Sequence, residues 1–102
     1  MSPGDEMTEA RLFLIRCLKN TFHPKALGVI VRLEFNMIDE KMARSLREWE
    51  KMYTGSKVIE KNIQQFGEGP AGVNQIYVME RGLEALLTTQ KRANDILDDL
   101  LS

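Results

Sequence analysis

Residue types that build chemical sites are scarce in this sequence. Cys17 is the only cysteine and His23 the only histidine among 102 residues. One cysteine excludes an intramolecular disulfide, and one histidine excludes the His-based clusters that hold zinc. Cys17 falls on the apolar stripe of a helical pattern, while His23 precedes a proline in a connector, so the two do not form a convincing nucleophile pair. We therefore expect no enzyme, no metal and no cofactor.

Long apolar runs and an excess of one charge are also lacking. No apolar run approaches the ~18 residues that span a bilayer. The N-terminal sequence MSPGDEMTEA is acidic and polar, unlike a secretory signal peptide. Fourteen Lys and Arg against fifteen Asp and Glu give a net charge of −1, which argues against a dedicated nucleic-acid binder. We expect a cytoplasmic protein without a membrane span.

Apolar residues recur at helical spacing along most of the chain. This spacing predicts an all-α fold, an antiparallel helical hairpin or bundle, in one domain over residues 1–102. We predict a short helix at about 5–20, a long helix at about 25–66, a hinge at 67–72 and a second long helix at about 73–101. The segment GVIVRLEF (28–35) alternates almost like a strand, but the longer pattern favours helix. Gly55 would weaken a helix and Ser56 could cap a new one, so the helix 25–66 is either continuous or broken near 54–56.

Both long helices carry an apolar seam with heptad-like spacing, typical of coiled coils and helical bundles. Gln90 is the single polar residue in the second seam. It is either a position that fixes register and partner number or a solvated glutamine. The residues that we predict to form protein interfaces come from these seams: Val31, Phe35, Ile38, Met42, Trp49, Met79, Leu83, Leu86, Gln90 and Leu97.

The glycines between the long helices match the spacing of a dinucleotide-binding loop. Gly67, Gly69 and Gly72 follow G-x-G-x-x-G, but such a loop follows a β-strand, and none is predicted here. A phosphate-binding P-loop would also need a lysine after its last glycine, where Val73 stands. A helix end, a Gly-Pro turn and a new helix start account for the segment. We interpret it as a hinge.

The run RLEFNMIDEKMARSLRE (32–48) resembles the first helix of the small all-helical chorismate mutases. The resemblance rests on Arg32 and on the sequence IDEK at 38–41, and it covers under a fifth of the chain. It implies a small helical enzyme that binds a dicarboxylate between converging cations. The arginine expected seventeen residues after Arg32 is Trp49 here, and the later lysine is Glu60.

One helix face carries a basic strip of Lys41, Arg44, Arg47 and Lys51, interleaved with glutamates 40, 48 and 50. Ion pairing with these glutamates predicts an ordinary solvated face. The alternative is contact with an acidic partner or a phosphate backbone, so weak nucleic-acid binding is a further hypothesis.

The length of the seams points to assembly. Helices of roughly 29 residues extend to about 43 Å, and their seams carry more apolar surface than one hairpin covers. We expect the back half of the middle helix to pack against the last helix and the first helix to lie along the front half. The predicted function is protein–protein interaction, as an adaptor, chaperone-like subunit or regulator. The expected partners are a second copy in a homodimer and an unidentified protein.

Overall fold

The computed structural model describes residues 3–67 and 72–101, and these residues form an all-α fold. Four helices occur in them: α1 (Pro3–Asn20), α2 (Ala26–Glu34), α3 (Glu40–Gly67) and α4 (Val73–Leu100). α3 and α4 pack against each other as an antiparallel hairpin, and α1 packs on α2 and on the front of α3. The predicted helical hairpin with a short first helix is confirmed. None of the described helices combines the length and apolar content that a bilayer crossing requires.

The core lies where all four helices meet, at the end of the hairpin away from the α3–α4 loop. Trp49 is completely buried there and its ring stacks on Tyr53 with centroids 5.1 Å apart. Burial of each large apolar side chain stabilises the fold by about 1.5–3 kcal/mol, so this cluster holds α1 and α2 onto the hairpin. Its members are Ile15, Cys17, Leu18, Ala26, Val29, Ile30, Leu33, Leu46, Trp49, Ala93 and Leu97.

The prediction of one helix over 25–66 is wrong, because α2 ends before residue 35. Asn36 adopts a left-handed conformation with φ of 55°, which asparagine tolerates better than most residues. The Met37 N–H donates to the Arg32 carbonyl at 2.7 Å, and the Asn36 N–H donates to the Leu33 carbonyl at 3.2 Å. These two bonds form a Schellman motif, which satisfies the last carbonyls of α2.

A new helix starts at once, because Asp39 caps α3. Its Oδ1 accepts the Met42 N–H at 2.8 Å, and its own carbonyl accepts the first intrahelical bond, from Ala43 at 2.9 Å. A side-chain cap of this kind replaces one of the backbone partners that a helix start lacks. Residues 35–39 therefore turn the chain between two helices.

The alternative break near 54–56 does not occur, since all three residues lie inside α3. Thr54 Oγ1 donates to the Glu50 carbonyl at 2.9 Å, and Ser56 Oγ donates to the Tyr53 carbonyl at 2.7 Å. Both hydroxyls thus bond back to the preceding turn, which lets the helix continue. Gly55 carries its propensity cost of about 1 kcal/mol within a continuous helix.

Most of the predicted hinge, residues 68–71, lies outside the described residues. Gly67 is the last residue of α3, and Gly72 occupies the N-cap position of α4 in an extended conformation. Gln75 Nε2 donates to the Phe66 carbonyl at 2.6 Å, so the start of α4 is bonded directly to the end of α3.

Candidate protein-binding surface

The half of the hairpin nearest the α3–α4 loop extends beyond the four-helix core. In this distal half, residues 54–67 and 75–87, Ser56 is the only described residue that is buried. Gly82 brings the two helices together, since a Cβ there would lie 2.9 Å from Ile63 Cγ1. The distal half is therefore a two-helix layer with both faces uncovered.

The molecule exposes more surface than its size requires. Its accessible surface is 7522 Å², whereas a compact monomer of 11.7 kDa is expected to expose about 5,900 Å². The radius of gyration is 16.5 Å, against about 13 Å for a compact domain of this length. The excess, about 1,600 Å², is about twice what one partner contributes to a standard protein interface.

One side of α4 carries an apolar stripe, the α4 stripe, formed by Ile76, Leu83 and Leu87. These side chains are 59%, 46% and 65% exposed. Steps of seven and four residues place them on one line along the helix. The stripe flanks the face of α4 that packs on α3.

The opposite flank of α4 borders an apolar groove, the distal groove. It has a volume of about 290 Å³ and is lined by Ile59, Asn62, Ile63, Phe66, Val78, Met79, Gly82 and Ala85. At 100° per residue, Val78 and Ala85 lie roughly 160° around the helix from Ile76 and Leu87. The groove and the α4 stripe are thus two separate surfaces.

A second, larger cleft opens at the other end of the hairpin. This charged cleft measures about 510 Å³, and two cations, Arg32 and Lys41, share it with two carboxylates, Asp39 and Asp99. The carboxylates would repel a dicarboxylate, which a site built from converging cations would attract. The run that resembles one helix of a chorismate mutase is also divided here between α2 and α3.

α2 has a second apolar face that the described part of the chain leaves exposed. Ala26, Val29, Ile30 and Leu33 point into the core, while Leu27, Val31 and Phe35 are exposed on the other side. A helix that is apolar on all sides is normally buried.

The predicted interface residues fall into three groups. Trp49 and Leu97 are completely buried in the chain's own core, so their assignment as interface residues is wrong in this fold. Ile38, Met42, Met79 and Leu86 are half-buried, and Val31, Phe35, Leu83 and Gln90 are exposed. Ile76, which belongs to the same sequence seam, and Leu87, which flanks it, are not among the predicted interface residues.

His23 and Cys17 have structural surroundings rather than catalytic ones. His23 Nδ1 accepts the Lys25 N–H at 3.0 Å, which leaves the proton on Nε2 to bond Asp98 Oδ1 at 2.7 Å. With both ring nitrogens occupied and a side chain only 7% exposed, His23 ties the α1–α2 connector to α4. Burial raises the pKa of the Cys17 thiol, and the charge of Glu50 adds to the effect. The described residues contain no group of side chains suited to a metal ion.

The cations of the basic strip form no ion pair with the neighbouring glutamates. Lys41, Arg44, Arg47 and Lys51 are all exposed. Within the described residues none of them has a carboxylate oxygen within 4.0 Å, whereas Lys57, Arg81 and Lys91 do pair with nearby acids. The ion-paired face predicted from the sequence is therefore not formed.

No protein-family model matches the sequence, and comparisons with curated proteins and with solved structures found no match. The fold and its surfaces define an all-α helical-hairpin protein.

Proposed function

We propose that this protein is a non-enzymatic protein-binding module that forms a homodimer through the α4 stripe. The observation that carries the proposal is the exposed line of Ile76, Leu83 and Leu87, on which no third helix packs among the described residues. A two-fold axis through this line would place two α4 helices antiparallel and turn two distal halves into one four-helix bundle.

The exposed fractions of the three side chains give the expected strength of the dimer. Burying them would contribute about 2.5–5 kcal/mol per protomer, or about 5–10 kcal/mol for both copies. Association itself costs at least about 4 kcal/mol, which leaves at most about 6 kcal/mol. The stripe alone therefore supports a Kd of about 40 µM at best.

Sedimentation of matched variants tests the stripe. Leu83→Glu and Leu87→Glu would place a charge of the same sign on both sides of the two-fold axis, so we expect each to be monomeric at concentrations where the parent is dimeric. Leu12→Glu is the control, because Leu12 is 56% exposed on α1 and lies outside the stripe. Helical content by circular dichroism should be the same in all four proteins. Variants in the stripe that dimerise as well as the parent would overturn the assignment.

The arrangement of the described polar groups also favours a binding function over a catalytic one. Carboxylates and cations are mixed in the charged cleft, and both ring nitrogens of the single histidine already have partners. We expect no turnover of chorismate. The cytoplasm is the expected compartment, because a chain with one cysteine forms no internal disulfide. An adaptor, chaperone-like or regulatory role requires a second, different partner as well.

A further inference from the structure

A single side of α3 connects the charged cleft to the distal groove. Lys41 lines the charged cleft, and Phe66 lines the distal groove. Between them, steps of three and four residues place one row on the same side of the helix: Arg44, Glu48, Lys51, Gly55, Val58 and Asn62. The two clefts therefore open on one face of the hairpin, which we name the open face.

α4 repeats this arrangement from the other side. Ile96 and Asp99 line the charged cleft, and Val78 and Ala85 line the distal groove. Arg92 lies between these pairs on the same flank, seven residues from both Ala85 and Asp99. The open face is thus one side of the α3–α4 pair with a cleft near each end, and it measures about 38 Å from Lys41 to Phe66 along α3.

The open face is of mixed charge in the charged cleft, basic in its middle and apolar at its distal end. Arg44, Lys51 and Arg92 are exposed, and none has an ion-pair partner within 4.0 Å among the described residues. Glu48 is the acidic side chain of the α3 row. None of the described residues that line the distal groove is charged, so hydrophobic and electrostatic contacts are separated along one line.

We propose that the open face binds an acidic amphipathic helix of another protein. The inference rests on the proposed binding function and specifies the chemistry of its partner. Such a helix would seat apolar residues spaced i, i+3, i+4, i+7 in the distal groove and set its carboxylates against Arg44, Lys51 and Arg92. A helix lying in a groove between two others is a common mode of peptide recognition, and the charge pattern fixes its direction.

Other occupants fit the charge pattern less well. A second copy facing the same surface in parallel would set basic side chains against basic side chains. In the antiparallel arrangement it would cover the apolar groove with arginine and lysine, which costs desolvation without a partner. A nucleic-acid backbone would complement the cations but leave the apolar groove unused. An acidic amphipathic helix complements both the cations and the apolar groove.

A labelled synthetic peptide tests the proposal by fluorescence anisotropy with the full-length chain. The probe has 21 residues, with leucines at i, i+3, i+4 and i+7 in one half and glutamates on the same side in the other half (about 30 Å as a helix). Two comparison peptides replace the glutamates by lysines or scramble the sequence. A labelled 20-nucleotide single strand is measured alongside.

We expect saturable binding of the acidic peptide, weakened at least tenfold by the double substitution Arg44→Glu with Lys51→Glu. Val78→Glu, in the groove, should weaken binding by a similar factor. Lys61→Glu is the matched control, because it reverses an exposed charge that lies about 80–100° around α3 from Arg44 and Lys51, and it should leave the affinity within about twofold. Binding should weaken as salt is raised from about 50 to 300 mM, since exposed charges are screened.

The possible outcomes separate this inference from the proposed dimer. No binding of the acidic peptide at 200 µM, or equal binding of the lysine peptide, would overturn the inference even if the parent protein is dimeric. Binding of the oligonucleotide in preference to the peptide would overturn it in favour of a nucleic-acid surface. Specific peptide binding by a protein that stays monomeric up to about 500 µM would support the inference and refute the homodimer.

Discussion

Two glycines of the hairpin, Gly55 and Gly82, have opposite steric surroundings, and replacing each by alanine tests how α3 packs on α4. A Cβ on Gly55 would meet no atom within 4 Å, whereas a Cβ on Gly82 would lie 2.9 Å from Ile63 Cγ1 and 3.1 Å from its Cδ1. Both positions are inside helices, so both substitutions gain about 0.5–1 kcal/mol of helix stability.

The steric term separates the two variants. Ile63 is β-branched and stiff at χ1 within a helix, so it cannot simply turn away from a new methyl group. Overpacking of this kind costs about 1–3 kcal/mol. We expect Gly55→Ala to be more stable than the parent by up to about 1 kcal/mol, and Gly82→Ala to be less stable than Gly55→Ala by about 1–3 kcal/mol.

Thermal and urea unfolding, followed by circular dichroism, measure this difference. For a domain of about 100 residues, 1 kcal/mol moves Tm by about 4–8 °C, so the two alanine variants should differ by at least about 4 °C. The samples should be kept near 5 µM, where dimerisation does not add to the measured stability. Equal stabilisation by both alanines would show that α3 and α4 do not approach closely at Gly82. A loss of stability in Gly55→Ala would show that α3 is not continuous there.

Three further substitutions test local features by the same unfolding measurement. Asn36→Ala should destabilise the chain by about 1–2 kcal/mol because of the left-handed φ, and Asn36→Gly should not; equal effects would refute the helix end described for α2. Asp39→Ala should lower the free energy of unfolding by about 0.5–2 kcal/mol because the helix cap is lost, whereas Asp39→Asn should retain the cap. An equal loss of stability in both variants would contradict the cap. Because burial raises the pKa of Cys17 above 9.0, its contribution to stability is full below about pH 9 and is lost as pH rises through the folded value. Cys17→Ala should therefore show a smaller loss of stability between pH 8 and 10 than the parent, and an unchanged pH dependence would count against the burial of the thiol.

The all-α class and the pairing of α3 with α4 could be predicted because the spacing of apolar residues that indicates both is local and periodic. Seam residues such as Met52, Ile59, Met79 and Leu86 do lie toward the helix contact. A strict heptad repeat drifts by about 20° per heptad around a straight helix. A seam of four heptads therefore cannot stay buried along its whole length, and Leu83 lies at the edge of the face of α4 that packs on α3.

The break between α2 and α3 at residues 35–39 was not predicted, because it does not interrupt the apolar periodicity. The connector has a length that keeps the three-four spacing in phase, so the periodicity runs from α2 into α3 without a visible interruption. The informative signals were single residues, Asn36 in a position suited to left-handed φ and Asp39 as a helix cap.

The surfaces depended on tertiary structure and could not be read from the pattern. Gly82 matters because Ile63, nineteen residues earlier, lies against it, and no local rule connects the two. Whether Arg44 and Lys51 pair with neighbouring glutamates depends on side-chain geometry that spacing leaves open. The basic strip was identified from the sequence, but its alignment with an apolar groove became visible only in the folded hairpin.

The molar mass of the full-length chain, measured by sedimentation equilibrium from about 10 to 500 µM, tests the central claim most directly. A dimer held by the α4 stripe, with a Kd of about 40 µM at best, predicts a mass that rises with concentration from the monomer value of 11.7 kDa toward twice that value. A mass that stays at the monomer value throughout this range would contradict the proposed homodimer.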